Sequence, residues 1–407
     1  MADILYLVHR LPYPPNKGDK VRSYHLLKHL AARHRVYLAT FVDDVDDWQH
    51  VEHLRTLCAE VHAVGLNSKR ARLASLRGLF LGEALSLAYY RSRAMRSWVR
   101  GLSERVALDA SVVFSSTMAQ YALPLRPLPT LIDFVDVDSA KWTQYAPNHA
   151  WPLSWLYERE GRKLLAYEQD AAEQVDGSFF ATENEVGLFR QLSPQLKASV
   201  EAFGNGVDAD YFSPDPGRES PFPAGQLPLV FTGAMDYWPN VDAVCWFVDA
   251  VLPQLQALFP ALCFHIVGRN PAPTVQALAA RPGVIVTGTV PDVRPYLQYT
   301  AVAVAPLRIA RGIQNKVLEA MAMGRPVVVA RNCAEVIEAR DGQDLLTAQT
   351  AEDYLQQVSG LLQDAERCQH IGGAGRACVL ARYSWNAHLS VVDRHLDALL
   401  PESEIAV

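Results

Sequence analysis

Short apolar runs, each followed by a stretch in which apolar residues recur at helical spacing, succeed one another along most of the chain. That alternation predicts parallel sheets whose strands are joined by crossover helices. In the first half the expected strands are Ile4–Val8, Val36–Phe41, Glu60–Val64, Ser111–Phe114, Thr130–Phe134, Ser178–Ala181 and Ser199–Ala202. Several are apolar throughout and rich in Val and Phe, as strands covered on both faces are. From Ser213 to Pro228 the text becomes SPDPGRESPFPAGQLP, where Pro and Gly recur too often for a regular element. The pattern then restarts with strands at Leu229–Thr232, Cys263–Val267, Val284–Val286, Ala301–Ala305 and Pro326–Val329. Helices are expected near Val241–Leu258, Thr274–Ala280, Val293–Tyr299 and Asn315–Met323. Two doubly wound α/β domains follow, 1–212 and 229–384, joined by a linker at 213–228. Beyond Ala351 the text reads as helix to the end, with 385–400 a candidate to pack back on the first domain.

A chain of 407 residues is too long for one ordinary core, and two domains are the simplest division. Half of the residues are hydrophobic and a fifth charged, which is globular composition. The six cysteines are widely and irregularly spaced, with no Cys-x-x-Cys, and read as reduced thiols of a cytoplasmic protein. Met1–Val8 carries an acid where a signal peptide has its basic region, and no window is long enough to span a bilayer. The net charge of -6 argues against a nucleic-acid binder but hides one strongly basic stretch. Between Lys69 and Arg105, Lys and Arg far outnumber Glu83 and Glu104 and are interleaved with Leu73, Leu76, Leu79, Phe80, Leu81 and Trp98. The mixture suits the anionic inner face of a membrane, where each cation contributes about 1 kcal/mol, and equally suits a solvated helical hairpin.

In open parallel sheets ligands sit beyond the carboxyl ends of the strands, so two such sheets are expected to face a cleft. Residues Ala301 to Ala330 read AVAVAPLRIARGIQNKVLEAMAMGRPVVVA, a buried strand, a basic loop, a helix and a second buried strand. The free amides of a helix start attract anions, and Gly312 lets the backbone approach a phosphate, with Arg308, Arg311 and Lys316 adding charge. Glu319 lies at i+4 from Asn315 and i+3 from Lys316, on one helix face, where a carboxylate could accept from both hydroxyls of a ribose. The plain alternative is a surface ion pair between Lys316 and Glu319, worth well under ~1 kcal/mol.

With these segments the chain resembles the family 4 glycosyltransferases of the GT-B fold, and among them the sugar transferases associated with exopolysaccharide and exosortase (PEP-CTERM) systems. The resemblance rests on NKVLEAMAMGRPVV at Asn315–Val328, NGVDADYFSP at Asn205–Pro214, FHIVGRNP at Phe264–Pro271 and VTGTVPDVRPYL at Val286–Leu297. It implies a donor site in the second domain, in which Glu319 matches the carboxylate that holds the donor ribose. Arg311 stands where the family's other motif carboxylate faces the transferred sugar, and a cation cannot accept hydroxyl hydrogen bonds. The stretch Gly312, Ile313, Gln314, Asn315 matches the amides near the diphosphate, and Val290 with Pro291 the turn beside the nucleobase. FTGAMDYWPNVDAV offers Met235, Tyr237, Trp238 and Asn240 where the family places cations, so Arg269, Arg308 and Lys316 are the replacements. In the first domain Gly18 matches a glycine that approaches the donor phosphate. Asp136 and Asp138 follow a strand where many relatives carry a histidine close to the reacting sugar; either they orient an acceptor, or Asp138 or Ser139 caps the next helix.

The expectation is therefore a GT-B transferase moving a sugar from a nucleotide-diphosphate sugar to a saccharide or lipid-linked acceptor, with Asp136, Asp138, Lys316 and Arg311 as its catalytic candidates. No cofactor or metal is expected, since the helix start and cations already neutralise a diphosphate. A sugar-nucleotide epimerase of the same fold and a non-catalytic sugar-nucleotide binder in polysaccharide assembly remain open alternatives.

Overall fold

A computed structural model describes residues 1–15, 18–309 and 313–400. The chain forms two compact units, Met1–Asn205 together with the residues from His388 onward, and Gly206–Ala387.

The first unit is built on seven strands, β1 (Asp3–Val8), β2 (Arg35–Val42), β3 (Glu60–Gly65), β4 (Ala110–Phe114), β5 (Thr130–Val135), β6 (Gly177–Phe180) and β7 (Val200–Ala202). Their order is β3-β2-β1-β4-β5-β6-β7. Every pairing is parallel, with Ile4 of β1 opposite Val36 on one side and Ala110 on the other. The second unit has six, β8 (Leu227–Thr232), β9 (Leu262–Val267), β10 (Val284–Gly288), β11 (Val302–Ala305), β12 (Val327–Ala330) and β13 (Leu346–Ala348), in the order β10-β9-β8-β11-β12-β13 and again all parallel. These are the two Rossmann-like sheets that the apolar periodicity predicts, and each expected strand is present to within a few residues. The runs work because crossover helices cover both faces: β1 is fully buried from Ile4 to Val8.

Two elements depart from the expectation. The helix expected over Val241–Leu258 begins at Trp238 and is broken into Trp238–Ala250 and Leu252–Leu258. Pro253 explains the break, since it has no amide to donate and its ring blocks the preceding turn. β13 is an unforeseen edge strand of three residues, too short to show a period of its own.

A fully buried ion pair organises the first unit. Arg22, on the helix Gly18–Arg33, grips Asp133 of β5 with two hydrogen bonds of 2.7 and 3.1 Å. The same guanidinium donates to the Phe203 carbonyl at 2.9 Å and stacks 3.7 Å over the Phe203 ring. Asp133 Oδ1 also accepts from the Val135 amide at 3.1 Å, which helps to hold Val135 at a φ of +70°. The helix Trp385–Leu399 enters this unit from His388 on, with Asp393 2.9 Å from His29 and His395 2.9 Å from Glu201.

Among the described residues no single helix is long and apolar enough to cross a membrane. The bent pair Trp238–Ala250 and Leu252–Leu258 passes such a test jointly, yet buries Val244, Phe247, Val248 and Leu255 in the core of its own unit.

Removing one partner of a buried pair strands the other charge without water, at about 3–5 kcal/mol. Asp133→Ala is therefore expected to destabilise the protein by about that amount in urea unfolding; a loss no larger than that of an exposed-residue control would show the pair to be dispensable.

Candidate functional site

In the second unit β8 and β11 are neighbours although β9 and β10 come between them in the chain, so the strand order reverses there. Crossovers on either side of such a point diverge and leave a crevice at the carboxyl ends. A cavity of about 590 Å³ occupies it. Its walls are Thr232 at the end of β8 with Gly233 and Ala234 beyond it, Gly268 and Arg269 after β9, Thr289, Val290 and Val293 after β10, and Ile313, Asn315, Lys316 and Glu319.

The backbones of the first two loops touch. The Gly233 amide donates to the Val267 carbonyl at 3.0 Å, and a Cβ on Gly268 would overlap the Gly233 carbonyl. Glycine at 268 is thus a requirement of close approach.

The helix Asn315–Ala322 opens onto the cavity with Gln314 in the extended N-cap conformation, its side chain making no cap hydrogen bond to the first turn. Its first turn keeps the positive end of the helix dipole for an anion. Lys316 adds a full charge. Its ammonium donates to Asn240 Oδ1 and lies 4.5 Å from the centre of the Phe231 ring. Asn240 is itself buried, and its amide nitrogen donates to the Ala234 carbonyl at 2.8 Å. One side chain thereby ties the loop after β8 to the cation. Burial pushes the Lys316 ammonium down to about 8, against the opposing pull of the Glu319 charge. Burial likewise pushes the Glu319 carboxyl up to about 7, with Lys316 resisting. A carboxyl and an ammonium on one half-buried helical face are a poised pair, unlike the solvated surface pair that spacing alone also allowed.

Of the residues picked out in the sequence, Arg269, Val290, Ile313, Asn315, Lys316 and Glu319 line this one cavity. Gln314 precedes Asn315 as its N-cap. Arg308 does not line it: its guanidinium pairs with Asp242 at 3.0 Å and lines a separate cavity with Trp246, Arg331 and Tyr354. Arg311 and Gly312 lie outside the described residues.

The first unit repeats the arrangement at its own reversal, between β1 and β4. A cavity of about 330 Å³ there is lined by His9 and Asp19, by Ser115 and Thr117 after β4, by Val135 at the end of β5 with Asp136 and Asp138 beyond it, and by Lys141, Trp142 and Tyr145. Gly18 begins the helix that carries Asp19. Neither Asp138 nor Ser139 caps the helix Asp138–Tyr145; Val137 holds the N-cap position, and the Ser139 hydroxyl donates to the buried Glu168 at 2.6 Å. Asp136 and Asp138 instead share Lys141, at 2.7 and 3.0 Å. Burial opposes the charge on Lys141, but Asp138 and the hydrogen bonds to both carboxylates raise its pKa above the ordinary value. His9, 3.6 Å away, and Arg10 at 2.8 Å hold the Asp19 carboxyl well below the usual range despite its burial.

Sequence reasoning passed over Lys141, although its place three residues after Asp138 on a helix is a legible pairing signal. Ser115 and Val135 carried no signal. Ser115 just after β4 and Val135 at the end of β5 have positive φ, +78° and +70°, which is rare for any residue and strained for a β-branched one.

Residues 227–364, about a third of the chain, match the family model described as "Glycosyl transferases group 1". No curated protein matches the chain in sequence. Solved structures share the fold over nearly the whole length. Alr3699/HepE of Anabaena, solved with UDP and glucose, superposes with a TM-score of 0.60 at 12% identity, over 98% of this chain and 100% of that one. Sucrose-phosphate synthase of Thermosynechococcus elongatus gives 0.58 at 16%, over 98% and 100%. A glycosyltransferase of Rickettsia africae gives 0.60 at 13%, over 99% of both. The two-sheet architecture is the GT-B fold, and together with the group 1 match over residues 227–364 it makes glycosyltransferase the enzyme class of the chain.

The NMR titration of Lys316 in lysine-labelled protein is expected to have a midpoint near 8. Glu319→Gln removes the charge that sustains the protonated form and lowers that midpoint further; an ordinary lysine midpoint unaffected by the substitution would show the group to be solvated.

Proposed function

We propose that the enzyme takes a nucleotide-diphosphate sugar in the cavity of its second unit and transfers the sugar to a saccharide or lipid-linked acceptor bound by its first unit. The observation that carries this reading is the convergence of a helix start, the Lys316 ammonium and the Glu319 carboxylate on one cavity at the strand-order reversal. A diphosphate needs positive charge that does not have to reorganise as the leaving group departs, and fixed amides with a hydrogen-bonded lysine supply it. Glu319, one turn further on, accepts the ribose hydroxyls, and Val290 with Val293 forms an apolar wall for the base. The complexes of HepE with UDP support a nucleotide of this class.

In this reading Lys316 and the helix start neutralise the leaving group, and the reaction takes no cofactor or metal. The bond from the anomeric carbon to the diphosphate breaks, the acceptor oxygen bonds to that carbon, and the acceptor proton passes to the departing diphosphate. Configuration is retained without a protein nucleophile, because the acceptor oxygen approaches the face from which the diphosphate departs and gives its proton to that same diphosphate. In the first unit Asp136, Asp138 and Lys141 orient the acceptor hydroxyls, with Trp142 and Tyr145 as platforms for a sugar ring. Exopolysaccharide or related glycoconjugate synthesis is the setting we assign, at the inner face of a membrane where a lipid-linked acceptor is presented.

Lys316→Ala and Glu319→Ala are each expected to lower transfer by about 10²-fold or more, and near-normal transfer by both variants would remove the donor site. Donor incubated with enzyme alone should not turn over; conversion without an acceptor would reassign the protein as an epimerase. Lys141→Ala should raise KM for the acceptor at an unchanged Kd for the donor, and an unchanged acceptor KM would take the first-unit cavity out of the reaction.

A further inference from the structure

On an ordinary surface helix the large apolar side chains face the core and small or polar ones face water. The helices Ser68–Ser75 and Arg77–Leu81 reverse this. Their buried positions are Ser75 and Gly78, while Leu73 is 72% exposed, Phe80 91% and Leu81 63%. The ordering cost of this surface is met elsewhere. Arg159, itself buried, donates to the carbonyls of Gly78 and Glu83 at 2.9 and 3.0 Å and so pins the outward-facing segment to the helix Leu153–Gln174. One turn before Arg159 on that helix stands Trp155, 50% exposed, and Trp151 just ahead of the helix is 79% exposed. Exposed indole rings suit the boundary between headgroups and acyl chains.

The charge of the patch identifies what would cover it. From Leu66 to Gly82 the chain carries Lys69, Arg70, Arg72 and Arg77 and no acid, in a protein whose net charge is -6. All four side chains belong to exposed residues. A second copy of so acidic a protein would bring its own cations to the same place in a symmetric contact, whereas an anionic bilayer presents phosphates to the cations and acyl chains to the leucines and phenylalanine.

We propose that Ser68–Leu81, with Trp151 and Trp155, forms a docking surface for an anionic lipid bilayer, in which Phe80 and Leu81 enter the headgroup region and Lys69, Arg70, Arg72 and Arg77 lie over the phosphates. This rests on the membrane setting of the proposed function and specifies it, while standing apart from the donor-site assignment.

The test is co-sedimentation of the full chain with phosphatidylglycerol vesicles and with phosphatidylcholine vesicles. Wild type is expected to pellet with the first and remain in solution with the second. Arg70→Glu/Arg72→Glu/Arg77→Glu should weaken binding to phosphatidylglycerol about tenfold or more. Phe80→Ser/Leu81→Ser should leave a weak association that added salt abolishes. Both variants alter exposed side chains, and unchanged melting curves and UDP binding in lipid-free solution would show that fold and donor site are intact, so that a failure of docking is distinguishable from a failure of the donor reading. Equal pelleting of wild type and both variants, or wild type that ignores phosphatidylglycerol, would overturn the proposal. Lipid-free self-association that Phe80→Ser/Leu81→Ser abolishes would assign the surface to a second copy instead.

Discussion

A lysine ammonium taken partly out of water must be given fixed partners, and the second unit is arranged around that demand at Lys316. Asn240 meets it from the helix after β8, and the Phe231 ring meets it from β8 itself. Gly233 leaves the space: a Cβ there would stand 2.7 Å from the Asn240 amide nitrogen and 3.1 Å from Lys316 Nζ. Glu319 supplies a compensating charge one turn along the helix, and each of the pair shifts toward neutrality because burial outweighs their mutual attraction. Such a pair holds charge only as long as its surroundings favour it, which makes it responsive to an arriving anion.

The two units apply one topological rule to different chemistry. Each opens a cavity where its strand order reverses, and in each the residues beyond the strands carry the polar groups. In the second unit the positive charge is concentrated on a helix start, which favours a compact anion. In the first, carboxylates and a lysine alternate with aromatic rings, a surface that can both donate to and accept from hydroxyl groups. Two strained residues, Ser115 and Val135, aim the loops of that surface, and the buried Arg22–Asp133 pair helps to hold the second of them in place.

Buried polar groups also explain why a helical segment can turn its leucines outward. The Arg159 guanidinium satisfies two carbonyls near Gly78, and Glu160 accepts from the amides of Leu85 and Ser86 at 2.6 and 2.8 Å. Hydrogen bonds to buried charged groups are worth about 1.5–3 kcal/mol each, enough to hold a short helix that contributes little apolar area of its own.

Local spacing made the strands, the two domains, and the shared face of Asn315, Lys316 and Glu319 legible in the text, because periods of two and of about 3.6 residues are properties of consecutive positions. The same reading erred where a single proline or a three-residue edge strand overrode the period, at Pro253 and at Leu346–Ala348. It could not see contacts set by strand order. Asn240 reaches Lys316 across 76 positions, and Arg308, a cation of the right kind in the right loop, turns instead to Asp242 across 66. Nor could it tell that Leu73 and Phe80 face outward while Ser75 and Gly78 face in, since helical spacing defines a face without saying which side is water. The choice falls to whatever packs behind the helix, and here the buried Arg159 makes it.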